Sequence, residues 1–416
     1  MNKSKRVLAA LLCGAWLGAG IPAPLAEDIP AIIAEQDSGE NIAALIAETE
    51  AEEWAKPVTA PATGSSLEIG GKGAALMDVA SGQMLYERDA HKRLPIASVT
   101  KVMTLLLVME AIDHGQISLK DNVTCSATAA SMGGSQIWLK ENETMSVHEL
   151  VKAAAVVSAN DACAALAEHI SGSIEGFVAA MNARAKELGM KDTQFLDCCG
   201  LDDNAYSSAY DVAVMSRELI RHEEITAYTT IWMDTLRNGQ SQLVNTNKLV
   251  RFYQGATGLK TGTTSTAGHC LSATAQRGGL SLVAVVLGCA TTQERFGGAR
   301  KMLDYGFANY AVVTPQIEEK ALHPIPVRRG VAEQVKVQAD TPAAILVKKG
   351  EEKGVTCQVA LAGDLEAPVM KGQTVGEVTV QQGGKAIATY PVKAAQSVGR
   401  LTLGVSFRQL LRSLAA

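Results

Sequence analysis

No two cysteines of this chain stand at C-x-x-C spacing, and no cysteine–histidine spacing of a metal site occurs, so a zinc-built fold is excluded. Basic residues form no cluster and do not interleave with aromatics. The formal charge is -5, and nothing points to nucleic acid. The apolar run near the start, Val7 to Gly20, is short for a bilayer span. Of the eight cysteines, one (Cys13) lies in that run. The others, Cys125, Cys163, Cys198, Cys199, Cys270, Cys289 and Cys357, are scattered and mostly sit in apolar stretches, as small core residues do. Adjacent Cys198 and Cys199 could join only as a strained vicinal disulfide, so free thiols are expected.

What is present is a chain of 416 residues, long enough for two or three domains. Apolar residues make up 47% and charged residues 19%, the balance of an ordered globular protein. Lys3, Lys5 and Arg6, the apolar run and the small residues up to Ala26 predict an export signal over residues 1–26. Residues 27–65 are acidic and Ala-rich and end in Pro57, Pro61, Gly64 and Ser65, which predicts a linker.

From residue 66 to 312 the pattern is strands, helices, then strands again. A hairpin spans Ala74 to Val79 and Gln83 to Glu87. An apolar run from Val102 to Ile112 contains no Gly or Pro and predicts a buried helix. Ala-rich helical stretches follow over Val147 to His169, Ile174 to Leu188 and Tyr210 to His222. Strands return at Leu259 to Thr264, Gly268 to Ala275 and Leu280 to Leu287, before a helix over Phe296 to Tyr310. The simplest arrangement is one five-stranded antiparallel sheet in which early and late strands combine, covered by helices. The fold class is therefore α/β (α+β).

Residues 313–393 change texture. Val327, Val335, Val337, Ile345, Val347, Val355, Val359, Val378 and Val380 lie in short alternating strands between Gly-rich turns, which predicts a small β domain. In residues 394–416, Leu403, Phe407, Leu410, Leu411 and Leu414 fall on one helical face, with Arg408 and Arg412 on another. That amphipathic helix predicts attachment to a membrane surface, with docking on the β domain as the alternative.

Three short motifs carry chemistry. Ser98 precedes Lys101 by three residues at the head of the buried helix, which puts hydroxyl and amine on one face. A lysine anchored in a core loses solvation, which favours the neutral amine, a base. A serine beside a base is an activated nucleophile. Ser158-Ala159-Asn160 offers a hydroxyl and an amide; alone, Ser158 reads equally as a helix cap. Lys260-Thr261-Gly262 opens a late strand with a cation, a hydroxyl and a residue without a side chain, where a ligand can approach the strand backbone. Alone, it reads equally as a solvated strand edge. Each motif occurs once, and their order between early and late strands is what gives them weight.

With these motifs the chain resembles the penicillin-binding proteins and serine β-lactamases, and more closely the low-molecular-mass D-alanyl-D-alanine carboxypeptidases. Supporting stretches include Ser98 to Thr104, Gly134-Ser135 through Leu139, Val157 to Asp161, Ser208 to Asp211, Leu259 to Gly262 and Tyr305 to Phe307. Asp197-Cys198-Cys199-Gly200 departs from the Asn-Pro-x-Gly that the family often has. The resemblance implies that Ser98 attacks the carbonyl of the penultimate D-Ala of a peptidoglycan pentapeptide and that Lys101 takes its proton. It implies a proton relay by Ser158, with Lys260 behind it, and a peptide amide held by Asn160. It implies an oxyanion hole from the backbone N–H groups of Ser98 and Thr263. The terminal carboxylate would meet Thr261 and Arg295, with Lys260 and Gly262 in the same strand motif; Arg295 reads otherwise as a surface charge. β-Lactams would acylate Ser98, and no metal or cofactor is required. The expected location is the outer face of the cytoplasmic membrane.

Three rivals stand beside that reading. A class A β-lactamase would need a glutamate in an E-x-x-L-N-like loop after Ser158, which is not found. A transpeptidase differs only in the acceptor. A non-catalytic wall-binding protein would not need Ser98, Lys101, Ser158 and Lys260 together.

Overall fold

The computed structural model describes residues 67–405 and 407. The export signal, the linker and most of the terminal amphipathic helix predicted above lie outside the described residues.

Five strands form the central sheet: β1 (Gly73–Asp78), β2 (Met84–Arg88), β3 (Ala256–Thr264), β4 (Gly268–Arg277) and β5 (Leu280–Cys289). Their order is β2-β1-β5-β4-β3, and every neighbouring pair is antiparallel. The early hairpin thus joins the late strands through β1 and β5, as the sequence predicts. Strand β3, which carries Lys260-Thr261-Gly262, lies at the edge.

Side-chain alternation explains the layers. Ala75, Met77, Val283, Val285 and Leu287 face one way and join the core of the helical block. Ala74, Leu76, Leu282, Ala284 and Val286 face the other way and pack with Phe296, Ala299, Met302 and Leu303. Those last residues belong to helix α6 (Thr292–Asn309), capped by the Thr291 side chain. Because both sheet faces are covered, β1 and β5 read as nearly continuous apolar runs.

The helical block contains α1 (Lys101–Asp113), α2 (Val147–Val156), α3 (Asn160–Ser171), α4 (Ile174–Glu187) and α5 (Ala209–Leu219). Helix α1 buries Val102, Met103, Leu105, Leu106, Val108 and Met109 almost completely. Each such side chain contributes about 1.5–3 kcal/mol by leaving water, so the position of α1 is firmly set.

One sequence expectation fails here. Val147 to His169 is not a continuous helix; it breaks at Val157–Ala159 between α2 and α3. The Ala153 carbonyl accepts from both Val157 and Ala159 N–H, which closes α2, and Ser158 takes a left-handed φ of 64°. The Ala-rich sequence has no Gly or Pro at the break, and the cap-like Ser158 is its one local sign.

Beyond α6, Tyr310–Val313 pairs with Ile345–Lys348. A four-stranded sheet in the order Val337–Ala339, Lys385–Ala394, Thr374–Gln382, Val355–Leu361 and a three-stranded sheet form the rest of the C-terminal β domain. Ile325, Val327, Val335, Val369, Val378 and Val392 fill its core. Among the described residues no helix is long and apolar enough to cross a membrane.

Candidate active site

Ser98 sits in a 3-10 turn, Ala97–Thr100, that runs directly into α1. It is therefore inside the helical start, not the capping residue before it. Its hydroxyl caps nothing: it receives Lys101 Nζ at 2.9 Å. Lys101 is fully buried and its Nζ also donates to the Cys199 carbonyl at 2.8 Å. Two fixed acceptors thus aim the amine at the hydroxyl.

The acceptor loop is the one that departs from the family pattern. Asp197 holds it by accepting backbone N–H groups from Cys199 at 2.5 Å, Leu201 at 2.9 Å and Asp202 at 2.7 Å, and also from Gly200. The Cys198 carbonyl accepts the Thr104 hydroxyl at 2.6 Å. Helix α1 and the loop are therefore tied at two successive turns, through Lys101 and Thr104. Cys198 and Cys199 are buried free thiols, 3.6 Å apart.

Ser158 is 4% exposed, and its Oγ has no partner. A capping hydroxyl would accept an N–H, so the helix-cap reading falls. The residue before α3 is Ala159, which offers no side-chain cap. Held in a left-handed conformation that non-Gly residues rarely adopt, Ser158 is kept there by the surrounding packing.

Asn160 opens α3. Its backbone N–H donates to Ser135 O at 2.7 Å and its Nδ2 to Gly133 O at 2.6 Å. Its Oδ1 is buried and unpartnered. The next residue, Asp161, accepts from Ile137, Leu139 and Ala162 N–H and pins the 135–139 stretch to the helix. Burial lifts the Asp161 carboxyl above its ordinary range, while these N–H groups oppose the rise.

Lys260 and Thr261 are 1% and 6% exposed, which removes the solvated-edge reading. Burial, followed by the nearby charges of Lys101 and Arg295, holds the Lys260 amine well below its ordinary range. Thr261 Oγ1 donates to Thr246 Oγ1 at 2.8 Å. Gly262 has a different use from the one its sequence suggests. It admits the nucleophile's own turn: a Cβ there would lie 2.6 Å from Ile96 O.

Arg295, on α6, is not a surface charge. It is 8% exposed and its Nη1 donates to Thr263 Oγ1 at 2.8 Å and Gly262 O at 3.3 Å. Thr263 itself is exposed on β3. Several supports were not singled out from sequence. Thr246 and His269 are lone residues in unremarkable surroundings. Asp161 stood within a supporting stretch and Asp197 in the departing loop, neither with an assigned role.

This arrangement has close counterparts. The family model for D-alanyl-D-alanine carboxypeptidase matches residues 58–291, and that of the penicillin-binding protein 5 C-terminal domain matches 313–400. The D-alanyl-D-alanine carboxypeptidase DacF of Bacillus subtilis is 41% identical over 80% of this chain and 87% of its own length. Penicillin-binding protein 5 of Haemophilus influenzae is 33% identical with a TM-score of 0.66, covering 81% of this chain and 99% of that one. Penicillin-binding protein D2 of Listeria monocytogenes, solved in an ampicillin-bound form, is 35% identical with a TM-score of 0.51 over 58% of this chain and 99% of that one. With a family model over more than half of the chain, a relative 41% identical over most of both chains, and the matching C-terminal domain, the chain belongs to the D-alanyl-D-alanine carboxypeptidase family of serine peptidases.

Proposed function

We propose that this chain removes the terminal D-Ala from peptidoglycan pentapeptides through an acyl ester on Ser98, and that β-lactams trap the same serine. The observation that carries the reading is the Lys101 Nζ–Ser98 Oγ contact of 2.9 Å, aimed by the Cys199 carbonyl.

The roles are those that the resemblance implies, and the geometry supports them. Lys101 takes the Ser98 proton as Oγ bonds to the carbonyl carbon of the penultimate D-Ala. The C–N bond then breaks, and Ser158 hands a proton to the leaving amine. The unpartnered Ser158 hydroxyl supports that task, and the depressed Lys260 amine suits exchange of protons with it. The free Asn160 Oδ1 is an acceptor for the N–H of the donor peptide. Backbone N–H groups of Ser98 and Thr263 receive the oxyanion. Thr261, Thr263 and Arg295 serve the terminal carboxylate. Water then cleaves the ester and frees the tetrapeptide.

The work is placed outside the cytoplasm, where peptidoglycan lies, after removal of residues 1–26. Peripheral attachment through residues 394–416 is supported by Leu403 and Phe407, which are 92% and 60% exposed. Deleting everything after Ser397 should release the protein from membranes and leave activity on soluble peptide intact.

The direct test is mass spectrometry with a muropeptide pentapeptide and, separately, with benzylpenicillin. One D-Ala should be released per pentapeptide, and the penicillin adduct should map to Ser98. Ser98→Ala should abolish both, and Lys101→Ala should slow acylation about 100- to 10,000-fold. An adduct on another residue, or an active Ser98→Ala variant, overturns the mechanism.

A further inference from the structure

The loop that aims Lys101 through the Cys199 carbonyl continues past Gly200 and reaches the far end of β3. Asp197 holds its first part by accepting the Leu201 and Asp202 N–H groups at 2.9 and 2.7 Å. The Leu201 side chain lies against Gly134, beside Asn160: a Cβ on Gly134 would stand 3.6 Å from Leu201 Cδ2 and 2.8 Å from Asn160 Nδ2. Beyond Asp203 the chain is fixed again. Asp202 Oδ1 accepts the Asn204 N–H at 2.9 Å, and the Ala205 N–H donates to Asp202 O at 3.0 Å. Between these anchors Asp203 meets the β3–β4 hairpin. Its Oδ1 accepts the Thr264 hydroxyl at 3.0 Å and its Oδ2 the Thr266 hydroxyl at 2.6 Å.

A carboxylate can only accept, so both hydroxyls donate. Thr264 Oγ1 in turn accepts the Ala267 N–H at 3.0 Å, which closes the hairpin turn. One carboxylate thus grips both the last residue of β3 and the turn that follows. The end of β3 has need of such a hold. As an edge strand it is supported by its ladder on one side only, through Thr263 opposite His269 and Thr264 opposite Gly268. Thr263, next to the clasped Thr264, carries the backbone N–H assigned above to the oxyanion. Asp203 therefore joins the piece of chain that aims the base to the piece that offers the oxyanion donor.

We infer that Asp203 is a positioning residue, a clasp that fixes the Thr263 N–H relative to the loop that aims Lys101. This role rests on the acyl-serine reading above and deepens it. Asp203 acts through Thr264 and Thr266. The oxyanion exists only while the Ser98 ester is forming. A displaced donor therefore slows bond formation and leaves binding of the intact β-lactam unchanged.

The experiment separates binding from bond formation. Labelling of Ser98 by benzylpenicillin over a range of concentrations gives the dissociation constant of the first complex and the limiting rate of acylation. Asp203→Ala should lower the limiting rate about 10-fold, less than loss of a whole oxyanion donor, and leave the dissociation constant within about 2-fold. Because Asp203 is exposed, the melting midpoint should stay within about 2 °C of the parent's. Thr266→Val removes one of the two bonds and should lower the rate about 3-fold. It decides the matter if Asp203→Ala does not fold. Asp203→Asn keeps an acceptor and gains a donor for the same two hydroxyls, and should remain within about 2-fold of the parent. Combining Asp203→Ala with Thr266→Val should add nothing, since Thr266 acts through Asp203. Ser265→Ala, in the same turn, should match the parent in both constants. A limiting rate unchanged in Asp203→Ala and Thr266→Val overturns the clasp. So does a folded Asp203→Asn as slow as the alanine variant, a loss carried by the dissociation constant, or a double variant equal to the product of the singles. A parent chain that benzylpenicillin fails to label at Ser98 overturns instead the acyl-serine reading beneath it.

Discussion

The Cβ that Gly262 lacks would lie 2.9 Å from the Ser98 backbone nitrogen. Strand β3 and the nucleophile's turn therefore meet backbone to backbone, and the gap between them is set by one missing methyl group. The same Cβ would meet the Val99 nitrogen at 2.9 Å and the Ile96 oxygen at 2.6 Å. None of these atoms is the end of a flexible side chain.

Gly262→Ala should consequently push the turn away from the strand. Overpacking of this kind destabilises by about 1–3 kcal/mol. The catalytic loss should be larger, about 100-fold in acylation by benzylpenicillin, since a shift near 1 Å in a reacting atom has that effect. Gly297→Ala is the control. It lies in α6 with open space around its Cβ and should stabilise by about 0.5–1 kcal/mol without changing acylation. Melting midpoints and acylation rates check both, and equal effects at the two glycines would refute the contact.

Lys260 links activity to the pH dependence of stability. Its amine is held well below the ordinary range by burial and by the charges of Lys101 and Arg295. In the unfolded chain it titrates near the ordinary value, about 10.4. Between the lowered value and about 10.4 the unfolded state binds more protons than the folded one, so stability rises with pH across that window. Lys260→Met removes the group and with it this dependence. The variant should be inactive yet more stable than the parent at neutral pH, and the gap should narrow as pH approaches about 10. Melting midpoints of both proteins from pH 7 to 10 decide it; a gap that stays constant means that Lys260 is an ordinary ammonium.

The legible parts of this molecule are those with a local signature. The apolar run after Lys101 announces α1, and runs rich in Val, Thr and Leu announce the late strands, so the sheet could be assembled from hairpin logic. Ser98 and Lys101 could be paired because positions three apart share a helix face, and Lys260 joined them through the order of the three motifs and the resemblance that they carry. The break at Ser158 was only faintly marked, by a cap-like serine, because its cause is non-local: Asp161 and Asn160 anchor α3 to residues 133–139, and the chain must turn to allow it. Arg295, Thr246 and His269 were ambiguous or silent for the same reason. Arg295 and Thr246 meet Thr263 and Thr261 from 32 and 15 residues away, at distances that no spacing rule covers. Gly262 was legible as a position of close backbone approach, expected there for a ligand; the approach of the Ser98 turn came only from the fold.

Asp197 should prove to be the support of the whole Cys198–Gly200 loop. Asp197→Ala removes the acceptor of four backbone N–H groups and loosens the carbonyls that hold Lys101 and Thr104. A loss of about 1–3 kcal/mol in stability is expected, with acylation slowed at least as much as stability suggests. Asp197→Asn retains a carbonyl acceptor and should sit between the parent and the alanine variant. Denaturant unfolding and acylation kinetics test the order; an alanine variant as stable as the parent contradicts it.

The last prediction concerns the thiols behind Lys101. Cys163, Cys198 and Cys199 are buried, and the Cys199 thiol points at the Asn160 carbonyl from 3.5 Å. Among the described residues all the cysteines are free, and Cys357 alone is half-buried. Reaction with a thiol reagent needs an exposed thiolate. In the native protein N-ethylmaleimide should therefore modify Cys357 slowly and the others only after denaturation. The same burial should keep Cys198 and Cys199 reduced in the presence of diamide. Joining them would draw the sulfurs from 3.6 Å to about 2.05 Å and twist the peptide group that presents the Cys199 carbonyl to Lys101. Acylation by benzylpenicillin should thus survive diamide, with no loss of two hydrogens in the intact mass. If the mass does fall by two hydrogens and acylation falls with it, the loop opens far more often than its bonds to Asp197 allow, and the rigidity assigned to the Lys101 acceptor is wrong.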